Sequence, residues 1–310
     1  MLQDAFFLDA CTRAYAVGVA RSPDRAGLEA FADLLAGARE ARALADAGAT
    51  GTYQGVGGHL RGPGLELARQ FAEHGFDLVV VAEDDELDAA AVRLQATGAA
   101  VSPVRADLTR YDDVELVWRA VQGSGRRLEA AALNAGVGVG GRFTETDLDA
   151  ELGLVQLNCA STLHLAKRVA AHLAAQGSGR ILFTSSVASQ APQPFQAVYG
   201  ASKAFVQSLA LALREELSGT GVSVTAMLPG PTDTEFFDRA DLTDTRLGAS
   251  GAQDDPAQVA RQGYEGLMDG EASVFVGSLA SKAMGRLSAL TPDSLGAKTT
   301  TPMAAPGSAG

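Results

Sequence analysis

Apolar positions recur at helical spacing over residues 65–74, 86–96 and 112–121, and along a longer stretch at 148–175. Each predicts an amphipathic helix with one buried face. Between them stand short stretches rich in Val, Ile, Leu, Phe and Ala, at 78–81, 130–133, 181–184, 222–228 and 274–276, with a weaker one, Val-Ser-Pro-Val, at 101–104. Near-continuous apolar runs of that length are what strands covered on both faces look like. Strands alternating with helices of about ten or more residues predict βαβ units and a parallel sheet. The expected fold class is therefore α/β, a doubly wound parallel sheet of Rossmann type.

The ends of the chain depart from this rhythm. Residues 1–47 are rich in Ala, Leu and Arg at helical spacing, with Phe6, Phe7, Ala10, Ala14 and Val17 on one side of a first helix and Pro23 placed to start a second. They predict a helical hairpin, an N-terminal extension to a Rossmann-type domain at 48–290. Residues 291–310 predict a flexible tail, because Ser, Thr, Pro, Ala and Gly dominate there.

Residues 48–64 are the hardest to place. A dinucleotide site needs a buried strand, a glycine-rich turn and a helix N-terminus aimed at phosphate. Two glycine patterns compete. One is Thr50, Gly51, Gly55 and Gly57; the other is Gly58, Gly62 and Gly64, with Arg61 inside it. The second joins the helix at 65–74 directly, so register favours it. Residues 43–49 hold Asp46 and Gly48 and no β-branched residue, which is poor material for a central strand. The glycines also read as a flexible linker.

The candidate chemistry follows the strand at 181–184. Tyr199 opens a helical pattern and Lys203 stands four residues later, so phenol and ammonium share one helix face. A phenol is a poor acid or base at neutral pH, and an adjacent ammonium favours its phenolate. Ser186, just past the strand, is placed to polarise a carbonyl oxygen shared with Tyr199.

Ser186, Tyr199 thirteen residues on and Lys203 together resemble the active-site signature of the short-chain dehydrogenase/reductase family. Asn134, Ala135 and Gly136 resemble its Asn-Ala-Gly turn, Asn158 its helical catalytic asparagine, and Pro229 and Gly230 with Thr232 and Thr234 its cofactor-covering turn. The resemblance runs from about residue 64 to about 277. It implies an NAD(P)-dependent oxidoreductase that interconverts a secondary alcohol and a ketone, with catalytic Asn158, Ser186, Tyr199 and Lys203; the alternative, on the atypical first strand and glycine-rich turn, is a catalytically impaired nucleotide-binding or scaffold protein. By the same resemblance Lys203 also bonds the nicotinamide ribose, and Asn158 holds a water that links Lys203 to solvent. Asp107 would meet the adenine, with Leu108 beside it; alone, Asp107 reads equally as a helix cap. Gly58, Arg61, Gly62 and Gly64 would form the phosphate turn. Residues 1–47 separately resemble an internal helical fragment of the TenA/thiaminase II family, without any catalytic set of that family.

Cofactor choice turns on the end of the strand at 78–81. Glu83 there would repel a 2′-phosphate and accept bonds from a ribose diol, which leans the reading to NAD over NADP; Arg61 pulls the other way. Apart from Lys203, no Lys or Arg lies between 181 and 213, so the expected substrate is a small, neutral, partly apolar alcohol or ketone. By the same family resemblance the stretch between Pro229 and Asp255, with Phe236, Phe237 and Leu242, is the lid over the substrate, and Gln190, Gln193 and Phe195 form the opposite wall. A net charge of −12 argues against nucleic acid or an anionic membrane as partner. Cys11 and Cys159 make neither a disulfide framework nor a zinc site. No apolar run is long enough to span a bilayer and no basic leader opens the chain, so a cytoplasmic protein is expected. By family resemblance it is a homo-oligomer, dimer or tetramer.

Overall fold

The structure is a computed structural model that describes residues 62–232, 240, 242, 244–246 and 253–308. The expected N-terminal hairpin, the glycine patterns through Gly58 and Arg61, and Thr234, Phe236 and Phe237 lie outside the described residues. The described chain runs α1 (Gly62–Glu73), β1 (Leu78–Ala82), α2 (Glu86–Gln95), β2 (Val101–Arg105), α3 (Tyr111–Gly123) and β3 (Ala130–Leu133). It continues through α4 (Leu148–Val155), a π-helical turn (Gln156–Ser161), α5 (Thr162–Gln176), β4 (Gly179–Thr184) and a 3₁₀ turn (Val187–Gln190). α6 (Ala197–Glu216), β5 (Val222–Pro229), α7 (Pro256–Met268), β6 (Ser273–Val276), α8 (Leu279–Leu290) and α9 (Asp293–Ala304) complete it. α9 falls within the stretch expected as a tail.

All strand pairs are parallel. β3, β4, β5 and β6 form one four-stranded sheet in that order, and successive residues of β4 point to opposite faces. Ile181 and Phe183 join Val169, Leu173, Val206 and Ala210 of α5 and α6 in one cluster. Leu182 joins Leu67 and Phe71 of α1 and Val259 and Leu267 of α7 in the other. These three β4 side chains are fully buried, which is why their run is apolar throughout.

β1 and β2 form a separate two-stranded sheet, covered by Leu87, Ala91 and Leu94 of α2. β2 is an edge strand, so Pro103 removes no ladder bond on its outer side. The inner edges of β1 and β3 are paired with no other described strand. A cavity of about 380 Å³ is bordered by these two edges, with Val80, Val81, Ala131 and Ala132 from the strands and Leu67 and Phe71 from α1 in its lining.

Candidate active site

In an open α/β sheet, ligands bind outside the carboxyl ends of the strands. β3 ends at Leu133 and delivers Asn134, Ala135 and Gly136; β4 ends at Thr184 and delivers Ser185 and Ser186; β5 ends at Pro229, ahead of Gly230 and Thr232. Ser186 caps the 3₁₀ turn that follows, its Oγ accepting from the Ala188 amide at 3.1 Å. The chain then turns back, so α6 brings Tyr199 in its first turn and Lys203 one turn later. Ser186, Tyr199, Lys203 and Asn158 are all buried.

The Ser186 hydroxyl hydrogen-bonds the Tyr199 phenol oxygen. Lys203 Nζ donates to the Thr184 carbonyl at 3.1 Å and lies 5.8 Å from the centre of the Tyr199 ring. Burial pushes the Tyr199 phenol up to about 12, with the Ser186 hydrogen bond opposing it. Burial pulls the Lys203 ammonium down to about 8, opposed by the nearby Cys159 thiol. Cys159 itself is raised to about 11, by burial first. The ammonium that favours phenolate in the sequence argument is not what dominates the phenol in this geometry; desolvation is.

Asn158 sits within the π-helical turn rather than in an unbroken helix over 148–175. Turns of this kind recur at functional sites because one extra residue redirects the side chains. Its Oδ1 accepts from the Val137 amide at 2.9 Å, while Nδ2 donates to the Val137 carbonyl at 2.9 Å and to Ser202 Oγ at 3.0 Å. Ser202 Oγ in turn donates to the Tyr199 carbonyl at 2.7 Å. Asn158 thus ties the loop after β3 to α6. A Cβ on Gly136 would fall 2.9 Å from Lys203 Nζ and 3.2 Å from Asn158 Oδ1, so only glycine lets the three meet. Asn158→Leu leaves the paired groups of Val137 without their partners and is expected to destabilise the fold by about 2 kcal/mol, read as a lower midpoint in urea unfolding.

Where the dinucleotide is expected, α1 begins at Gly62, in the left-handed region at φ 48°, with no acidic residue in its first turn. Gly64 lies against Asn134: a Cβ there would come within 2.8 Å of its Nδ2. Asn134 Oδ1 accepts from Thr184 Oγ1 at 2.9 Å. Asp107 Oδ1 accepts from the amide and hydroxyl of Thr109, at 2.9 and 2.7 Å. It therefore pins its own turn and does not cap α3, whose N-cap is Arg110. Leu108 and Ala135 are half-buried beside the β1–β3 opening. Thr232 is buried, its Oγ1 donating to the Gly230 carbonyl at 3.0 Å.

Glu83 follows β1, and here a residue missed in the sequence comes into view. Arg105, at the end of β2, donates from Nε to the Glu83 carbonyl at 3.1 Å and pairs with Asp85. The in-register pairing of Ala82 with Arg105 sets it there, and only the strand register could have revealed it.

In the loop expected to form a substrate wall, Gln193 packs against Gly200, and the Phe195 carbonyl accepts from the Gly141 amide at 2.8 Å. Phe195 has φ 64°, alone among the described non-glycine residues in the left-handed region, a strain that usually marks a functional segment. The Arg142 guanidinium lies 5.8 Å from its ring centre; sequence distance had hidden this contact. The Gly140 amide donates to the Ala240 carbonyl at 2.8 Å, and Gly140 lies against buried Leu242.

Among the described residues no helix is long and apolar enough to cross a membrane, and no His, Cys, Asp or Glu cluster could hold a metal ion. The family model for short chain dehydrogenases matches residues 55–244. The chain is 28% identical over 188 residues to an uncharacterized oxidoreductase of Staphylococcus epidermidis, covering 60% of this chain and 80% of that one. It is 35% identical over 186 residues to the very-long-chain 3-oxoacyl-CoA reductase of Podospora anserina, but spans only 54% of that protein's length and 57% of its own. A short-chain dehydrogenase from Sphingobium yanoikuyae in complex with NADPH superposes with a TM-score of 0.64 at 33% identity, over 69% of this chain and 83% of that one. With this match and the parallel α/β architecture, the chain belongs to the short-chain dehydrogenase family, oxidoreductases that act on CH–OH groups with a nicotinamide dinucleotide.

Proposed function

We propose that this chain interconverts a neutral, partly apolar secondary alcohol and its ketone, with NAD favoured over NADP. The observation that carries the reading is the convergence of Ser186, just past β4, with Tyr199 and Lys203 of α6 in one buried cluster at the carboxyl edge of the sheet. The residues present fit a dinucleotide. Gly64 and Gly136 leave space that a Cβ would fill, and the start of α1 offers backbone amides with no carboxylate in the first turn. Gly62, Gly64, Asp107, Leu108, Asn134, Ala135 and Gly136 would hold the adenosine and phosphates, and Tyr199, Lys203, Pro229, Gly230 and Thr232 the nicotinamide end, with Gly58, Arg61 and Thr234 completing the set.

When bound, the nicotinamide supplies or accepts the hydride at the carbinol carbon. In the reducing direction the Ser186 hydroxyl hydrogen-bonds the carbonyl oxygen and Tyr199 gives that oxygen its phenolic proton. The phenol raised to about 12 is fully protonated at neutral pH, as an acid must be. Lys203, charged below about 8, offsets the phenolate left behind until it is reprotonated. In the oxidising direction the same groups run in reverse. Oxidation of NADH, followed by absorbance, with a panel of neutral aliphatic and aryl ketones tests this; turnover confined to acidic or phosphorylated carbonyl compounds would overturn the substrate class.

The lean to NAD rests on Glu83, and on Arg105 being engaged by Asp85. Both side chains of that pair are more than half exposed, so the pair itself contributes little stability. Removing the two carboxylates in Glu83→Gln/Asp85→Asn frees Arg105 for a 2′-phosphate. The expected result is about a tenfold fall in the NADPH dissociation constant relative to that of NADH, measured by fluorescence titration. We further propose a homo-oligomer, supported by the exposed Leu148 and Leu152 on α4 and Leu211 on α6, and checked by light scattering.

A further inference from the structure

The segment after α8 is bonded to both of the stretches expected to flank the substrate, the loop after Ser186 and the stretch after Pro229. On one side, α9 lies on the loop that follows Ser186: a Cβ on Gly296 would come within 2.9 Å of the Ala191 Cβ, and Thr300 Oγ1 reaches the Pro192 carbonyl at 3.2 Å, sharing its proton with the Gly296 and Ala297 carbonyls of its own helix at 3.1 and 3.2 Å. On the other side, the Gly307 amide donates to Asp244 Oδ2 at 2.7 Å. The Arg246 amide donates to Ser308 Oγ at 3.0 Å, and its Nε to the Ser308 carbonyl at 3.1 Å. Ala304, between these anchors, is buried, as is Ala191 beneath the helix.

The same two segments are already joined from the opposite direction. Gly141 bonds the Phe195 carbonyl and Gly140 the Ala240 carbonyl. The loop carrying Gln193 and Phe195 is therefore linked to Ala240 by the glycine loop after β3, and to Asp244 and Arg246 by the C-terminal segment. Gln193 lies against Gly200, next to Tyr199, so the ring these four pieces make borders the catalytic phenol.

We propose that residues 293–308 are the outer wall of the substrate site and set the largest ketone it admits. The inference rests on the oxidoreductase reading above and adds a specificity determinant to it. Fixing both flanks at set distances limits how far they can part, and a pocket that cannot part excludes bulk by overlap rather than by lost attraction. The wall touches none of Ser186, Tyr199 or Lys203 in the contacts described, so it acts on which ketone enters and leaves the proton chemistry alone.

The test uses the full chain with two variants. Gly296→Leu places a side chain against Ala191 and lifts α9; Thr300→Val removes one hydrogen bond with little change of volume. For each, kcat/KM is measured with NADH for 2-butanone and for benzophenone, alongside the thermal shift given by NADH and the rate of proteolysis after residue 291. The expected result is that Gly296→Leu raises the benzophenone to 2-butanone ratio about tenfold, and Thr300→Val raises it less. Turnover of 2-butanone and the NADH shift should stay within twofold of the parent, and proteolysis of the tail should speed up. An unchanged ratio in a variant whose tail is cut faster would overturn the wall. If Gly296→Leu does not fold, an unchanged ratio in Thr300→Val with faster tail cleavage overturns it equally. Failure of the oxidoreductase reading shows separately, as no turnover of either ketone by the parent chain, and it removes the wall with it.

Discussion

Tyr199→Phe is expected to lower turnover by about a thousandfold or more while dinucleotide binding persists. Proton transfer by a positioned side chain contributes about 10²–10⁴ in rate, and here no other described group can replace it. Ser186 is too weak an acid, and Cys159, raised to about 11 by burial, faces Lys203. The substitution removes only the phenolic oxygen. The ring still fills its buried position in the first turn of α6, and Ser186 keeps its bond from the Ala188 amide. A variant that folds and binds NADH but does not turn over would locate the loss in the chemistry. A variant with a tenth or more of the parent's turnover would place the proton donor elsewhere.

Lys203→Met is expected to abolish turnover and at the same time to stabilise the protein. The ammonium is buried and meets one carbonyl, that of Thr184. Its depression from 10.5 to about 8 corresponds to about 3 kcal/mol lost by holding the charge there; the stranded carbonyl returns about 1 kcal/mol of it. Because the folded pKa lies below the unfolded one, the unfolded chain binds more protons between about pH 8 and 10.5, so the parent gains stability as pH rises through that window. Methionine has no such titration. The advantage of Lys203→Met should therefore be full below about pH 8 and shrink towards pH 10.5. Urea unfolding of both proteins across that range reads it directly, and a variant less stable at pH 7 would contradict the burial argument. The parent's reductive kcat/KM should likewise fall above about pH 8, as Lys203 loses its charge.

Much of this was legible in the sequence because it depends on local patterns. Ile181, Leu182 and Phe183 announce a strand covered on both faces, and they are fully buried. The four-residue step from Tyr199 to Lys203 fixes their common helix face before any tertiary contact is known. What was not legible depends on register and on distant pairs. Arg105 reaches the Glu83 carbonyl only because Ala82 pairs with it across β1 and β2. Asn158 lies in a π-helical turn whose extra residue leaves no mark on apolar spacing. Ser202, which links Asn158 to the Tyr199 carbonyl, is one more small residue on the buried side of a helix. Residues 43–61, where the first strand and the glycine patterns are expected, lie outside the described residues, and among the described strands the inner edges of β1 and β3 have no partner.

Dinucleotide binding is therefore the measurement that bears most directly on the account. Gly64, the last glycine of the expected phosphate turn, and Asn134 line the cavity bordered by β1 and β3. The purified chain should be unfolded thermally with NADH, with NADPH and with neither. A ligand at about a hundred times its dissociation constant stabilises the folded state by ~2.7 kcal/mol, a rise of several degrees for a domain of this size. The account predicts a rise with NADH that exceeds the rise with NADPH. No rise with either, at millimolar concentrations, would contradict it, and would mean that the buried Ser186, Tyr199 and Lys203 stand beside a dinucleotide site the chain does not form.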